Sequence, residues 1–184
     1  MSVFNNVLAI EGEWYDNLKR KETIKSTLSL LEEVCDLKYI YRQVNTSDGL
    51  LNYLKESRKN SYQKYDIIFL AFHGTRKDIE IATGEYLTLE DLGIACEGYF
   101  EDKYVHFSSC DLGNNKSELD VFRIITGAKA VSAYSASVDF FDSSIFDLLL
   151  MQKLRHYKRL GSLENHLKEK YNYLYNRLGF VMVQ

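Results

Sequence analysis

Three features of the chain predict an α/β fold of three layers, α/β/α, on a doubly wound, mostly parallel sheet of about six strands. Strand-like and helix-like segments alternate from end to end. The segment Tyr65 to Phe72 is an almost unbroken apolar run, the pattern of a strand covered on both faces. No repeat, low-complexity tract or linker interrupts the 184 residues, so 1–184 reads as a single domain, long enough to bury a full core.

Taken in order, Val7 to Ile10 reads as the first strand. Thr23 to Cys35 follows as a helix, with Ile24, Leu28, Leu31 and Val34 or Cys35 at helical spacing. Leu37 to Val44 is the second strand, and Ser47 to Ser57 a helix capped by Ser47 or Asp48. Tyr65 to Phe72 is the third strand. Leu87 to Tyr99 reads as a helix, because Thr88 precedes Asp91 by three residues as in a capping box. Tyr104 to Ser108 is a strand, Glu118 to Ile125 a helix and Ala128 to Tyr134 a strand. Ser143 to Tyr157 and Ser162 to Leu178 each read as one helix, and Phe180 to Val183 as a short closing strand.

Composition narrows the function classes. Hydrophobic residues at 46% and charged residues at 27% describe an ordinary globular chain rather than a disordered one. A net charge of −3 argues against nucleic acid as a partner, since a phosphate backbone calls for a concentrated basic surface. The basic residues from Lys153 to Arg159 read as solvated helix faces. No apolar run approaches the roughly 18 residues that span a bilayer, and Met1 to Asn6 lacks the start of a signal peptide. Cys35, Cys96 and Cys110 form no CxxC pair and leave one thiol over, which points to a reducing, cytoplasmic compartment.

In a doubly wound sheet the ligand crevice lies outside the carboxyl ends of the strands. Two of those ends carry chemistry: Phe72-His73-Gly74-Thr75 and Phe107-Ser108-Ser109-Cys110-Asp111. Neighbouring strands lie about 4.8 Å apart, so an imidazole and a thiol emerge on one rim if these two are adjacent. A thiolate nucleophile with a general acid/base beside it is the equipment of acyl transfer. Gly74 lets the backbone come close to a substrate and offer an N–H to an oxyanion. His106 lies four residues before Cys110 on one strand, roughly 13 Å away, and is no partner for it.

An apolar strand ending in His-Gly, then a strand ending in Ser-Ser-Cys, resembles the caspase-like cysteine peptidases, closest to the bacterial CHAT-type branch. Gly127 to Val131, Ser137-Val138-Asp139 and the Leu-rich helix after them are similar to that family's fifth strand, substrate loop and following helix. The resemblance implies an endopeptidase working through an acyl-enzyme without cofactor or metal. Cys110 is then the nucleophile, His73 the group that protonates the leaving amine, and the N–H groups of Gly74 and Cys110 the oxyanion donors. It further implies that Ser108 and the loop from Ser135 to Asp142 form the pocket for the residue before the scissile bond. Asp139 and Asp142 then favour Arg or Lys in a protein or peptide substrate.

The bland readings run alongside. Cysteine is commonly core, and Cys35 and Cys96 on helix faces read that way. His73 can also cap a strand end structurally, Asp139 and Asp142 can be a helix cap, and His156 and His166 read as surface or packing residues. Two further functions compete with the peptidase. One is a catalytically silent caspase-like scaffold that binds a regulatory protein partner through Tyr171, Tyr173 and Tyr175. The other is a domain holding a small ligand at the same rim. GxGxxG, GxxxxGK[ST], GxSxG and HExxH are all missing from the sequence.

Overall fold

Period-two alternation decides how the sheet is covered. Along Ile67 to Phe72, the even residues Ile68, Leu70 and Phe72 join one apolar cluster, while Ile67, Phe69 and Ala71 join the other. The same split recurs at Leu8 and Ile10 against Val7 and Ala9. A sheet buried on both faces needs helices on both, and the computed structural model, which describes residues 4–17 and 19–184, has them. Met1 to Val3, part of the N-terminal reading, lie outside the described residues.

The strands and helices follow in chain order. The first part holds β1 (Asn6–Glu11), α1 (Lys25–Cys35), β2 (Tyr39–Gln43), α2 (Ser47–Glu56) and β3 (Tyr65–Ala71). A second group comprises β4 (His73–Gly74), β5 (Asp78–Ala82), β6 (Glu85–Thr88) and α3 (Leu89–Ala95). Then come β7 (Tyr104–Ser108), α4 (Lys116–Thr126), β8 (Ala130–Tyr134) and α5 (Phe140–Leu154). The chain ends in α6 (Leu160–Lys170), α7 (Asn172–Leu178) and β9 (Phe180–Val183).

The main sheet has six strands in the order β2-β1-β3-β7-β8-β9, all parallel except β9, which runs antiparallel to β8. The three-layer α/β/α reading is therefore correct. Leu50 and Leu54 of α2, Leu92 of α3 and Phe122 of α4 pack on one face. Leu28 and Leu31 of α1, Phe146 and Leu150 of α5, and Leu163 of α6 pack on the other.

Three readings change. The segment from His73 forms a separate three-stranded sheet, β4-β5-β6, which the sequence reading left unassigned as far as Tyr86 and took for the start of a helix at Leu87 and Thr88. Its strands alternate too briefly to stand out, with only Ile79 and Ile81 fully buried. Helix α2 is capped by Thr46, whose hydroxyl accepts from Gly49 N at 3.1 Å, rather than by Ser47 or Asp48. Ser47 instead donates its N–H and its hydroxyl to Glu85. The single helix expected from Ser162 to Leu178 is broken at Tyr171, at φ −123° and ψ 37°. The break turns Tyr175 onto Phe146 and Phe180. By contrast, Thr88 does cap α3, accepting from Asp91 N at 2.9 Å.

Candidate active site

Strand register alone brings the histidine and the cysteine together. β3 and β7 are parallel neighbours in which Ala71 pairs with Ser108. His73 and Cys110 each stand two residues beyond that pair, so they leave the sheet side by side. Gly74 makes the approach tight. A Cβ there would lie 2.5 Å from the Cys110 carbonyl oxygen, closer than Cβ atoms approach backbone, and 3.1 Å from its nitrogen. His73, Ser108, Ser109 and Cys110 all line one cleft of about 90 Å³.

The imidazole is held by a loop that the sequence reading did not single out. Trp14, the one tryptophan, follows β1, and its carbonyl lies 2.8 Å from His73 Nε2. A carbonyl can only accept, so Nε2 is the donor in this contact, and in the neutral ring Nδ1 is the nitrogen with the lone pair. The indole meets the His73 ring edge-on at 5.1 Å, and Tyr15 adds a second edge contact at 5.8 Å. Trp14 is anchored in turn by Glu11, which is fully buried at the end of β1. The Glu11 carboxylate accepts from Trp14 Nε1 at 2.5 Å, Thr23 Oγ1 at 2.6 Å, Ile24 N at 2.9 Å and Tyr41 Oη at 2.6 Å. A buried charge surrounded by donors is stable where it stands, and this one pins both ends of the loop. Burial, and then the bond to Glu11, push the Tyr41 hydroxyl up to about 12. The available signal was a charged residue closing an apolar strand, three positions before a lone tryptophan.

Cys110 is half-buried and sits where the chain turns sharply. Asp111 adopts a left-handed conformation at φ 61°, a strained region that Asp tolerates better than most residues. The turn is clamped to the end of β8. Asp111 N donates to Ala136 O at 3.2 Å and Asn114 Nδ2 to Ser135 O at 2.7 Å. Gly113 packs so tightly that a Cβ would stand 2.9 Å from Ser135 N. The loop beyond β8 then reaches the sulfur, with Val138 N donating to Cys110 Sγ at 3.4 Å.

Beneath the cleft lies a buried polar network. Asp147 of α5, 1% exposed, accepts from His106 Nε2 at 2.7 Å, from Ser108 Oγ at 2.7 Å and from the Tyr134 hydroxyl. His106 Nδ1 meets Ser132 Oγ at 2.8 Å, and Ser132 accepts from Tyr104. His106 thus belongs to this network and not to Cys110. Burial first, then the Asp147 charge, hold the Tyr134 hydroxyl well above its ordinary range. Asp147 was missed as well, although an acid on the buried face of an otherwise apolar helix is a usable signal.

The expected pocket acids stand elsewhere. Asp139 is exposed and caps α5, accepting from Phe141 N at 2.9 Å and Asp142 N at 3.2 Å. Neither Asp139 nor Asp142 lines the cleft, so the acidic pocket inferred from sequence is replaced by a different lining. Its walls are Trp14, Val138 and Phe140, with Ser108, Ser109, Ser143 and Ser144 between them. Ser108 lines the cleft, with its hydroxyl hydrogen committed to Asp147. Among the described residues, no group of three or more His, Cys, Asp or Glu is arranged to hold a metal, and no helix is long and apolar enough to cross a membrane.

Fold and site together define an α/β protein with a thiol and an imidazole sharing one cleft at the carboxyl rim of its sheet. The chain belongs to a family of unknown function, DUF6642, which matches residues 5–183. No curated protein matches it.

Proposed function

We propose that the protein is a caspase-like cysteine peptidase that cleaves protein substrates through Cys110 and His73. The observation carrying this reading is the β3–β7 register, with Gly74 packed on the Cys110 backbone and both reactive groups in one cleft. Cys110 Sγ attacks the scissile carbonyl carbon, and the thiol proton passes to His73 Nδ1. The tetrahedral oxyanion is held by the N–H groups of Gly74 and Cys110. Its collapse breaks the C–N bond, His73 delivers its proton to the leaving amine, and a thioester remains on Cys110. Water, deprotonated by His73, attacks the thioester and releases the acid and the thiol. The Trp14 carbonyl keeps Nδ1 directed to this work by holding Nε2.

The scaffold alternative loses its main support. Of its three tyrosines, Tyr173 is 74% exposed, but Tyr171 packs on His166, and Tyr175 packs on Phe180 and donates to Glu164.

Iodoacetamide labelling followed by peptide mapping tests the proposal. Cys110 is expected to react faster than Cys35 and buried Cys96, and His73→Ala is expected to slow that reaction. Cys110→Ala and His73→Ala should each cut peptide hydrolysis by roughly a thousandfold or more. Equal labelling of the three thiols, or hydrolysis that survives Cys110→Ala, would overturn it.

A further inference from the structure

Resting on the peptidase reading, we infer that the cleft beside Cys110 takes an uncharged aliphatic side chain, the size of leucine or methionine, as the residue before the scissile bond.

The wall that an entering group can touch is mostly apolar. Trp14, Tyr15, Val138 and Phe140 all line the cleft, and none of them is buried. The serines between them offer little. Ser108 donates its hydroxyl hydrogen to Asp147 at 2.7 Å, while Ser143 and Ser144 donate theirs to the Phe140 carbonyl at 3.1 and 2.7 Å. Ser109 is 1% exposed, with its oxygen out of a ligand's reach, and Ser108 and Ser143 are buried as well. Ser144 is left as the only half-exposed serine of the wall.

Charge excludes ionic side chains. Among the described residues, no Asp, Glu, Lys or Arg lines the cleft. Glu11 and Asp147 lie nearby, but both are buried and already matched, Glu11 by four donors and Asp147 by three. Beyond Tyr15, Arg20 stacks on that ring at 4.6 Å and is paired with Glu22 at 2.7 Å. Lys or Arg in the cleft would lose water without touching a counter-charge, and Asp or Glu would find no serine hydrogen free. Asn or Gln would set its N–H₂ group against aromatic and aliphatic carbon.

Size selects within the apolar set. The space is about 90 Å³, against about 150 Å³ for an apolar cavity that accepts a benzene ring. A branched or thioether side chain fits, an aromatic ring does not, and alanine leaves the space part-filled. The apolar surface also continues past the rim. Phe140 and Ser144 stand one turn apart on α5, and the next residues round that helix are Phe141, 71% exposed, and exposed Ile145. They extend the cleft wall outward as one patch, the form that marks a binding surface rather than scattered exposed side chains.

The test compares peptide–coumarin substrates that differ only in the residue before the coumarin: Leu, Met, Ala, Phe, Asn, Asp or Arg. Binding of the corresponding peptide amides to Cys110→Ala protein is followed by calorimetry in parallel. Leu or Met should lead Asn, Asp and Arg by tenfold or more in kcat/KM, should exceed Ala and Phe, and should bind Cys110→Ala most tightly. Ser144→Asp sets a carboxylate on the wall and should shift the Leu-over-Arg ratio tenfold or more towards Arg, whereas general damage lowers both rates together. An unchanged ratio in folded Ser144→Asp protein overturns the cleft assignment. So does preferential cleavage after Phe, Asn, Asp or Arg by the wild type, and either result leaves the peptidase reading standing. Should Ser144→Asp not fold, the wild-type series decides alone. If no substrate is cleaved and Cys110 labels no faster than Cys35, the peptidase reading fails. In that case a preference of Cys110→Ala for the Leu or Met amide still supports the cleft, and equal binding of all the amides sinks it.

Discussion

Gly74 shows how much can rest on one missing methyl group. The backbone there adopts no unusual conformation; what it needs is space, because the Cys110 carbonyl occupies the position a Cβ would fill. Neither partner can give way, since both are backbone at the ends of adjacent strands. Gly74→Ala should therefore destabilise the fold by about 1–3 kcal/mol and push the turn at Cys110 out of register. Urea denaturation reads the first effect and the iodoacetamide rate at Cys110 the second. A variant with wild-type stability and wild-type labelling would refute the packing argument. The residue types of this site were readable in sequence, since His-Gly and Ser-Ser-Cys close two apolar segments. The roles of Asp139 and Asp142 were not, because an acid before a helix reads alike as a pocket group and as a cap. Only backbone direction separates the two.

At the scale of elements, the loop between β1 and α1 matters as much to the cleft as the two strand ends that carry His73 and Cys110. Glu11 ties its start, through Trp14, and its end, through Thr23 and Ile24, to a single buried carboxylate. Glu11→Gln replaces one acceptor oxygen by an N–H₂ group that faces donors. The expected loss is about 3–5 kcal/mol, together with slower labelling of Cys110 as the Trp14 carbonyl releases His73. Thermal unfolding and labelling kinetics measure the two separately. Unchanged labelling in a destabilised variant would show that the loop supports the fold without orienting the imidazole. Strands that are nearly continuous apolar runs, such as β3, β7 and β9, were found from sequence nearly to the residue. The β4-β5-β6 sheet was not, because polar and charged residues interrupt its short strands and only Ile79 and Ile81 in it are fully buried.

At the scale of the whole molecule, burial holds one thiol and several phenols in their neutral forms. Burial raises the Cys96 thiol from its ordinary 9.0 to about 12, and Tyr41 and Tyr175 each to about 12, with Tyr104 and Tyr134 raised as well. In each case the folded state holds its proton more tightly than the unfolded chain. The stability they contribute is therefore complete below about pH 9 and lost as pH rises towards 12. Cys96 begins the decline, at about 1.4 kcal/mol per pH unit above its unfolded value. Urea midpoints should fall between pH 9 and 11, and Cys96→Ala should flatten the first part of that fall. A midpoint constant to pH 10.5 would contradict this account.

By itself the sequence determined the layered α/β architecture and placed His73 and Cys110 each just beyond the end of a strand. The first follows from short-range periodicity, since alternate residues face opposite sides of a strand; that the two strands are parallel neighbours in matching register, which carries both residues to one rim, belongs to the tertiary structure. The tertiary structure alone decided which hydroxyls, carboxylates and carbonyls are already matched. Those bonds join residues tens of positions apart, Ser108 to Asp147 and Trp14 to His73, whose directions are set only once helices and loops have docked. The chemistry of the cleft therefore lay beyond any local pattern.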